Sequence, residues 1–336
     1  MLQPVVSDQE TVLVSVTAVI PHWNRADLLA PLFENLRKQP FDEIIVVDNG
    51  SRDDSREIAA RAGARVIALE SNLGFAAAVN RGIEASQSDW IAILNNDVTL
   101  APEWLAILLE SAAASDVSFA SGKILSASDP TRIDGGFDEI SRGACAWRCG
   151  AGKPDSVLWN TPRRVRFVSM TAAIFRRALF RDIGPLDETF GSYLEDIDFG
   201  LRCALAGREG RYEPAAVAWH RGSATLGAWN SDTVRWIARN QVLLARKHFR
   251  GQPRWPIVAG QLLWAVLALR HRRGVAWARG KLSGFRFAWT VAGDYDIAAQ
   301  DKLRQILEAS EREILKLGRE AGLDWYWRAY FWLLRR

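Results

Sequence analysis

The sequence predicts an α/β fold with a doubly wound, mostly parallel sheet, followed by a helical C-terminal extension. Apolar, β-branched runs alternate with helical patterns four times in about 105 residues, and each run ends in polar residues. Runs of this kind form buried parallel strands joined by right-handed crossovers. After residue 250 the pattern changes to helices rich in Arg, Leu and Trp. We therefore expect one domain over residues 1–250 and a helical, basic, Trp-rich extension over 251–336.

The predicted elements follow one another without an internal repeat or a low-complexity linker. The predicted strands are 11–20, 43–48, 64–69, 90–94, 165–170, 211–213 and 215–219. The predicted helices, identified by apolar residues at helical spacing, are 26–37, 53–62, 75–86, 102–115, 176–182, 231–249 and 301–318. Between 116 and 166 the periodicity breaks down, and we expect loops and short irregular strands. The glycines there suit close approach to a ligand, a mobile flap or an ordinary surface insertion.

The composition is that of an ordinary globular protein. The 336 residues are 49% hydrophobic and 24% charged, with a net charge of +4. The first ten residues lack a basic start followed by an apolar run, so we expect no secretory signal. Three cysteines are an odd number, which argues against a disulfide framework and favours a cytoplasmic location. Cys145 and Cys149 have no second pair to complete a zinc site, and we expect structural thiols.

Positive charge and tryptophan are concentrated toward the C-terminus. Six Lys/Arg residues and no acid lie between Arg270 and Arg286, and nine of the fifteen tryptophans lie beyond residue 228. This pattern indicates an interfacial surface, peripheral on the inner face of the cell membrane, more than nucleic-acid binding. The alternative is that the tryptophans pack inside the protein. The longest apolar stretch, 257–269, is too short to span a bilayer, and nothing in the sequence predicts an oligomeric state.

Polar residues follow the predicted strands at the edge where a parallel sheet binds its ligands. They are Asn24 and Arg25 after the first strand, Asp48 and Asn49 after the second, Asn72 after the third, and Asn95, Asn96 and Asp97 after the fourth. The turn over residues 21–25 contains no glycine, which excludes the dinucleotide fingerprint, and the chain has no P-loop. A nucleotide would therefore be held without a glycine cradle of either type.

A second acidic group, Glu195, Asp196 and Asp198, lies where a helix is predicted to begin. Free backbone N–H groups and the macrodipole stabilise carboxylates there, so capping and solvation are one interpretation. In the other interpretation, Asp196 meets Asp48 and Asp97 at one crevice. Three acids from three segments would then serve a metal, a nucleotide and a hydroxyl group to be deprotonated.

These motifs, taken in order, resemble the family-2 inverting glycosyltransferases of GT-A fold. The resemblance is strongest to the rhamnosyltransferase-type members that build bacterial cell-surface polysaccharides, and it covers about residues 12–250. The motifs are Asn24-Arg25, residues 47–51 with Asp48, residues 72–80 with Asn72, Gly74 and Asn80, residues 94–97 with Asp97, residues 193–198 with Arg202, and His220. No nucleophile motif of the Gly-x-Ser-x-Gly kind is present.

The resemblance implies a role for each motif. It makes Asp48 a contact of the nucleotide base and Asp196 the general base. It places a divalent cation, Mg²⁺ or Mn²⁺, on Asp97 with His220 as a metal or diphosphate contact. Asn95 stands where the family often has a first Asp, which removes one charge near the cation. The other implied substrate contacts are Asn24, Arg25, Asn49, Asn72, Gly74, Asn80, Asn95, Asn96, Glu195, Asp198 and Arg239.

The activity implied is metal-dependent, inverting transfer of a sugar, with rhamnose as one candidate, by a catalytic domain over residues 1–250. The donor would be a nucleotide-diphosphate sugar, and the acceptor a hydroxyl of a cell-surface glycan or a lipid-linked glycan. A catalytically silent nucleotide-sugar-binding scaffold is the alternative, which the Asn at position 95 keeps open. A nucleotidyltransferase would need a Gly-rich, basic loop after the first strand, and residues 21–25 do not supply one.

Overall fold

A curled, ten-stranded mixed sheet is the centre of the computed structural model, which describes residues 14–222, 229–289, 291 and 296–335. Part of the predicted first strand, residues 11–13, lies outside these residues. The sheet strands are β1 Val16–His22, β2 Glu43–Asp48, β3 Arg65–Ala68, β4 Trp90–Leu94, β5 Val98–Leu100, β6 Phe119–Ser126 and β7 Ile133–Gly135. A hairpin of β8 Asp138–Ile140 and β9 Ala146–Arg148 follows, and β10 Arg163–Val165, β11 Ala172–Arg176 and β12 Gly210–His220 complete the sheet.

The first half of the sheet has the predicted parallel order. Strands β3, β2, β1 and β4 are parallel neighbours, and the order continues as β11, β6, β12 and β10, with β5 and β7 paired to β12 and β6. The helices are α1 Leu29–Leu36, α2 Ser55–Arg61, α3 Phe75–Ala85, α4 Trp104–Ser115, α5 Arg177–Ile183, α6 Glu195–Leu205, α7 Ser231–His248, α8 Arg254–Arg270, α9 Gly274–Phe287, α10 Ile297–Ala321 and α11 Trp325–Leu333. The predicted α/β fold with C-terminal helices is confirmed.

Both faces of the sheet are buried, as its apolar strands require. Along β4, Trp90, Ala92 and Leu94 pack in one cluster with α1 and α4. The intervening Ile91 and Ile93 pack in another cluster with α3, α5 and α6. Successive strand side chains point to opposite faces, so one apolar run feeds two cores. This double covering leaves the carboxyl ends of the strands as the open edge.

A central strand in the region expected to be loops was missed. Strand β6 lies between β12 and β11 and is buried along nearly its whole length. Ser121, Gly122 and Lys123 interrupt its apolar run and hide the strand signal. Ser121 donates to the carbonyl of Gly136, and Lys123 binds Asp155 at 2.7 Å. These distant partners satisfy the buried polar groups, which a local pattern does not show.

Two other strand predictions were displaced. The strand predicted at 165–170 is wrong, because only Val165 belongs to a strand, the edge strand β10, and the rest of the segment leads to the central strand β11. Ala172 and Ala173, which follow the predicted segment, begin β11, where this strand pairs with β4 and β6. The two short strands expected at 211–219 are one strand, β12, with a shift in pairing between Glu213 and Val217. Pro214 falls in this irregularity, as a proline inside a sheet must.

The helices beyond residue 250 share the core of the sheet domain. Leu263, Ile314 and Tyr330 belong to the same buried cluster as Val19 of β1. The predicted apolar stripe of α10 is confirmed as buried. The domain boundary at residue 250 remains a prediction. The three cysteines are free and buried, and no described helix combines the length and apolar character needed to cross a bilayer.

Asp198 anchors the helix that follows the acidic motif. Its carboxylate is fully buried and binds Arg202 at 3.1 Å, Lys247 at 2.8 Å and His248 at 2.8 Å. Burial alone would raise the pKa of Asp198, but the hydrogen bond from His248 and the charges of all three cations hold it far below its ordinary value. With no exposed surface, this carboxylate ties α6 to α7 and does not face a cleft.

We expect Asp198→Asn to lower the free energy of unfolding by about 3–5 kcal/mol, because the partly buried Arg202 and Lys247 lose their counter-charge and the buried His248 loses its carboxylate partner. The folded pKa lies below the unfolded one, so the stabilisation is complete above about pH 4 and is lost as the pH falls further. Urea unfolding at pH 7 and pH 3.5 measures both effects. Asp182→Asn, which removes only exposed ion pairs, is the control and should cost at most about 1 kcal/mol. Equal stability of the two variants would contradict the prediction.

Candidate active site

Asp48 ends β2 beside the end of β1, where it pairs in register with His22. One carboxylate oxygen, Oδ2, accepts from Arg56 at 2.5 Å and from the backbone N–H of Ser51 at 3.2 Å. The other oxygen, Oδ1, is buried and has no hydrogen-bond partner among the described residues. Buried carboxylate oxygens are rarely left unsatisfied. This oxygen therefore fits a donor group on a ligand, such as the ring N–H of a nucleobase.

His22 connects Asp48 to the fourth strand end. Its Nε2 lies 2.8 Å from Ser55 Oγ, and its Nδ1 lies 2.9 Å from the amide nitrogen of Asn96. Burial lowers the pKa of His22, although nearby Asp48 opposes this. A neutral ring that accepts at Nδ1 and donates at Nε2 satisfies both contacts. His22 thus positions Asn96, a role the sequence analysis did not assign.

His220 joins two carboxylates from different segments. Its Nε2 lies 3.1 Å from Asp97 Oδ1, and its Nδ1 lies 2.8 Å from Asp134 Oδ2. Burial alone would lower the pKa of His220, but the hydrogen bonds to Asp134 and Asp97 raise it to about 9. The predicted pair Asp97 and His220 is thus brought together. Asp134 completes the group from β7, within the glycine-rich stretch that had suggested a ligand-contacting segment.

These donors suit a divalent cation that also takes oxygens from its substrate. Carboxylates and an imidazole are ligands for Mn²⁺, and Mg²⁺ prefers carboxylates together with phosphate and water. Among the described residues, no group of three or more His, Cys, Asp or Glu side chains is arranged to hold a metal ion by itself. Asp97 and His220 would hold the ion only once the ring of His220 loses its proton.

Arg148 links this group to the acidic motif. Its side chain lies 3.7 Å from Asp138, donates to Ser169 Oγ at 2.9 Å, and is within electrostatic range of Asp134 and Asp196. The hairpin of β8 and β9 carries both Asp138 and Arg148, so this hairpin supplies one acidic and one basic side chain. Sequence reasoning missed these residues, because that stretch shows neither periodicity nor a motif.

Asp196 and Glu195 begin α6 at the other end of this charged chain. Burial raises the pKa of Asp196, while the positive charge of Arg148 opposes the rise. Burial and the charge of Asp196 raise the pKa of Glu195 further, and its buried Oε2 has no partner among the described residues. Burial therefore outweighs the helix N-terminus that favours ionised carboxylates. A carboxylate with a raised pKa is a stronger base than an ordinary one.

The backbone before Asp196 is held in a strained form. Tyr193 and Leu194 both have left-handed backbone angles, φ 71° and 66°, which non-glycine residues rarely adopt. Asn240 of α7 donates to the carbonyls of Phe190, Ser192 and Tyr193. Strained backbone of this kind is concentrated at functional sites, where the surrounding structure must fix it.

Gly74 and Arg239 contact this same loop. Gly74 has φ 93°, and an added Cβ would lie 2.7 Å from the backbone of Gly191. Arg239 donates to the carbonyl of Thr189 at 2.8 Å, and its ring neighbours are Trp236 and Phe287. Both residues were expected to contact substrate. Their described contacts support the 189–194 loop before Asp196, and their contact with substrate stays a prediction.

The predicted asparagines brace the loops at the carboxyl edge. Asn49 donates to Asn72 at 3.1 Å and to the carbonyl of Gly74 at 2.9 Å. Asn80 is buried and bonds both backbone polar groups of Leu186. The backbone N–H of Asn24 donates to the hydroxyl of Ser51, and its side-chain oxygen accepts from the backbone N–H of Arg52. Arg25 forms an ion pair with Asp27 near Asp97. The backbone N–H of Asn95 donates to the carbonyl of Thr171. Most of these side chains have protein partners, and their contact with substrate stays a prediction.

The fold and the acidic edge define a glycosyltransferase of GT-A type. The structure is similar to a mannosyltransferase from Pyrobaculum calidifontis in complex with GDP-Man and Mn²⁺, with a TM-score of 0.53, 16% identity, and coverage of 95% of this chain and 86% of that one. It is also similar to GalNAc-T7 with UDP, GalNAc and Mn²⁺, with a TM-score of 0.62, 14% identity, and coverage of 94% and 59%. At these identities the likeness concerns the fold.

The chain belongs to glycosyl transferase family 2, whose model matches residues 17–184, half of its length. It is 32% identical over 218 residues to the pre-mycofactocin glycosyltransferase of Mycobacterium tuberculosis, covering 64% of this chain but only 44% of that protein. It is 26% identical over 327 residues to the N-acetylglucosaminyl-diphospho-decaprenol L-rhamnosyltransferase of the same organism, covering 88% of this chain and 94% of the relative. The resemblance identified from the motifs is confirmed at the level of the family.

We expect Asp134→Asn to lower the pKa of His220 from about 9 toward the ordinary value of 6.5, because the imidazolium loses one of its two carboxylate partners. NMR titration of the histidine ring protons in the metal-free protein measures the pKa. Asp129→Asn, an exposed change in the same β6–β7 connection, should leave the titration unchanged. A His220 pKa that stays near 9 in Asp134→Asn would contradict the assignment.

Proposed function

We propose that this protein is an inverting, metal-dependent glycosyltransferase that moves a sugar from a nucleotide-diphosphate donor to a hydroxyl group of a lipid-linked or cell-surface glycan. One observation carries the proposal: Asp48 and Asp97 follow or end strands at the carboxyl edge of the sheet, and a series of contacts connects them to Asp196 at the start of α6. The connection runs from Asp48 through His22 and Asn96 to Asp97, and then through His220, Asp134 and Arg148 to Asp196.

The donor would lie along the first part of this edge. The unsatisfied oxygen of Asp48 would accept a hydrogen bond from the base, and Asp97 with His220 would lie at the diphosphate. A bound Mg²⁺ or Mn²⁺ would supply positive charge to the leaving diphosphate. Both structural neighbours contain Mn²⁺. Asn95 contributes no charge, so Asp134 is the additional acid within reach of the pair.

Asp196 would act as the base at the other end of the edge. In a single displacement the acceptor oxygen attacks the anomeric carbon opposite the departing diphosphate, and its proton passes to a carboxylate. Arg148 opposes the rise that burial causes in the pKa of Asp196, whereas burial and the charge of Asp196 both raise the pKa of Glu195. Asp196 would thus receive the proton, and Glu195 would present a buried polar group to the acceptor. Because the displacement is direct, the configuration at the anomeric carbon inverts.

The rhamnosyltransferase relative, which aligns over nearly its whole length, makes rhamnose the first donor sugar to test and a polyprenyl-linked glycan the first acceptor. A lipid-linked acceptor requires the enzyme to work at a membrane surface. The three free, buried thiols are compatible with a reducing compartment. We therefore place the protein in the cytoplasm, peripheral to the inner face of the cell membrane.

We expect Asp196→Asn to lower the rate of sugar transfer about 100-fold or more while donor binding persists, because an amide cannot accept the proton. A thermal-shift screen of dTDP-rhamnose and of UDP- and GDP-sugars with Mn²⁺ identifies the donor, and turnover of that donor is then measured. Asp232→Asn, an exposed acid at the start of α7, is the control. Donor binding without turnover in the wild type would favour the silent scaffold instead, and equal rates in wild type and Asp196→Asn would remove Asp196 as base.

We expect Arg148→Gln to move the acidic limb of the kcat/KM profile to higher pH. The guanidinium opposes the rise in the pKa of Asp196, so its removal raises that pKa further, and more of the base is protonated at a given pH. Arg132→Gln, which removes an exposed arginine of the β6–β7 connection, should keep the wild-type profile. If kcat/KM falls by the same factor at every pH and the acidic limb does not shift, Arg148 has only a structural role.

A further inference from the structure

From the outward surfaces of α8 and α9 we infer a docking face for an anionic lipid bilayer. This docking face consists of an apolar stripe on α8, Trp255, Val258, Leu262, Val266 and Leu269, and of two neighbouring rows on α9, Val275, Leu282 and Trp289 beside Arg272, Arg279 and Arg286. Arg272 and Trp289 are the outermost residues of these rows and lie just outside α9. All eleven residues are exposed, whereas the opposite sides of both helices pack on the protein.

The stripe on α8 has the spacing of one helix face. Its residues follow at intervals of three and four, and Leu262 at the centre is 58% exposed. No charged residue lies between Arg254 and Arg270, which bound the helix. At 1.5 Å per residue the stripe is about 21 Å long. A continuous apolar surface of this kind on a folded protein marks a binding surface.

The α9 rows place charge directly beside apolar side chains. Val275, Leu282 and Trp289 recur every seven residues, and Arg272, Arg279 and Arg286 recur at the same interval. Leu282 is 63% exposed and Trp289 is 81% exposed. Helix faces that combine Arg with Leu, Phe and Trp lie in the plane of a membrane interface, where the rings and guanidinium groups meet the lipid headgroups.

The charge around the docking face has one sign. Between Asp232 and Asp294 the sequence has twelve Lys and Arg residues and no acid. Arg254, Arg272, Arg279 and Arg286 form no ion pair within the described part of the chain. A second copy docked face to face would oppose arginine rows to arginine rows, which disfavours self-association. An anionic bilayer supplies the complementary charge for the arginines and an apolar layer for the stripe.

The docking face adjoins the helix that supports the acceptor side of the site. Helix α9 packs closely against α7 at two glycines. An added Cβ on Gly280 would collide with the backbone of Arg235, and one on Gly284 would collide with the backbone of Arg239. Asn240 of α7 in turn fixes the 190–193 carbonyls before Asp196. A docked bilayer would therefore lie one helix away from this loop. This connection to a lipid-linked acceptor rests on the proposed function, whereas bilayer binding itself does not.

Vesicle flotation of the full chain tests the inference without reference to activity. The probes are vesicles of phosphatidylcholine alone and vesicles with 30% phosphatidylglycerol. The wild type should float with the anionic vesicles. Leu262→Gln/Val266→Gln should reduce the partition coefficient at least about tenfold, because two apolar side chains no longer enter the interface. Arg279→Glu/Arg286→Glu should reduce binding to anionic vesicles at least about 25-fold, at about fivefold for each arginine.

Two matched controls should float like the wild type. Arg312→Glu/Arg319→Glu makes the same charge change at the same seven-residue spacing on exposed positions of α10. Val14→Gln/Val157→Gln removes two exposed apolar residues outside the docking face. Thermal melting of every variant checks the fold, and turnover of a soluble acceptor by the α8 and α9 variants separates the docking face from the transfer site.

Three results would overturn the inference. In the first, the wild type floats with neither kind of vesicle, and in the second, the docking-face variants float as well as their controls. In the third, Leu262→Gln/Val266→Gln would convert a dimer to a monomer in sedimentation and leave flotation unchanged, which would make the surface a contact between copies. A protein that floats normally with anionic vesicles but transfers no sugar would contradict the proposed function and would not contradict the docking face.

Discussion

His220 holds the two halves of the site together, because each of its ring nitrogens binds a carboxylate from a different segment. Asp97 comes from the turn after β4, in the parallel half of the sheet, and Asp134 comes from β7, in the mixed half. The buried imidazolium neutralises part of the charge that brings these acids close. Without this positive charge, two carboxylates at one buried position would repel each other. Arg148 does the same for Asp134, Asp138 and Asp196 further along the edge.

The acidic motif divides into residues with opposite electrostatic environments. Asp198 faces inward and is surrounded by three cations, so its pKa falls, whereas Glu195 and Asp196 are buried with less compensation, so theirs rise. The first turn of α6 thus carries both Asp198, which holds the helix against α7, and Asp196, the candidate base. The helix N-terminus is common to all three and does not distinguish them. Burial and the nearest side-chain charges decide the protonation state of each.

The tryptophans of the C-terminal helices are of two kinds: some pack inside the protein, and others are exposed at its surface. Trp327 packs in the main buried cluster with Tyr326 and Phe331, and it is 5% exposed. Trp289 and Trp332 are 81% and 76% exposed. The extension therefore contributes to the core on one side and exposes apolar side chains on the other. Such a two-sided arrangement gives the inferred docking face a rigid attachment to the helices that support the strained loop before Asp196.

The sequence by itself determined the parallel half of the sheet and the positions of its polar strand ends, because both depend on local periodicity. Strands β2 and β4 were predicted at their observed bounds. Only the tertiary structure decided that β6 is a central strand, that most of the asparagines brace loops, and that Asp134 and Arg148 connect Asp97 to Asp196. The partners of these residues are distant in the chain, and Lys123 or Asn80 is satisfied only by groups that folding brings near. Local patterns record which residues favour a strand or helix, but a buried charge acquires its function from neighbours that no local pattern contains.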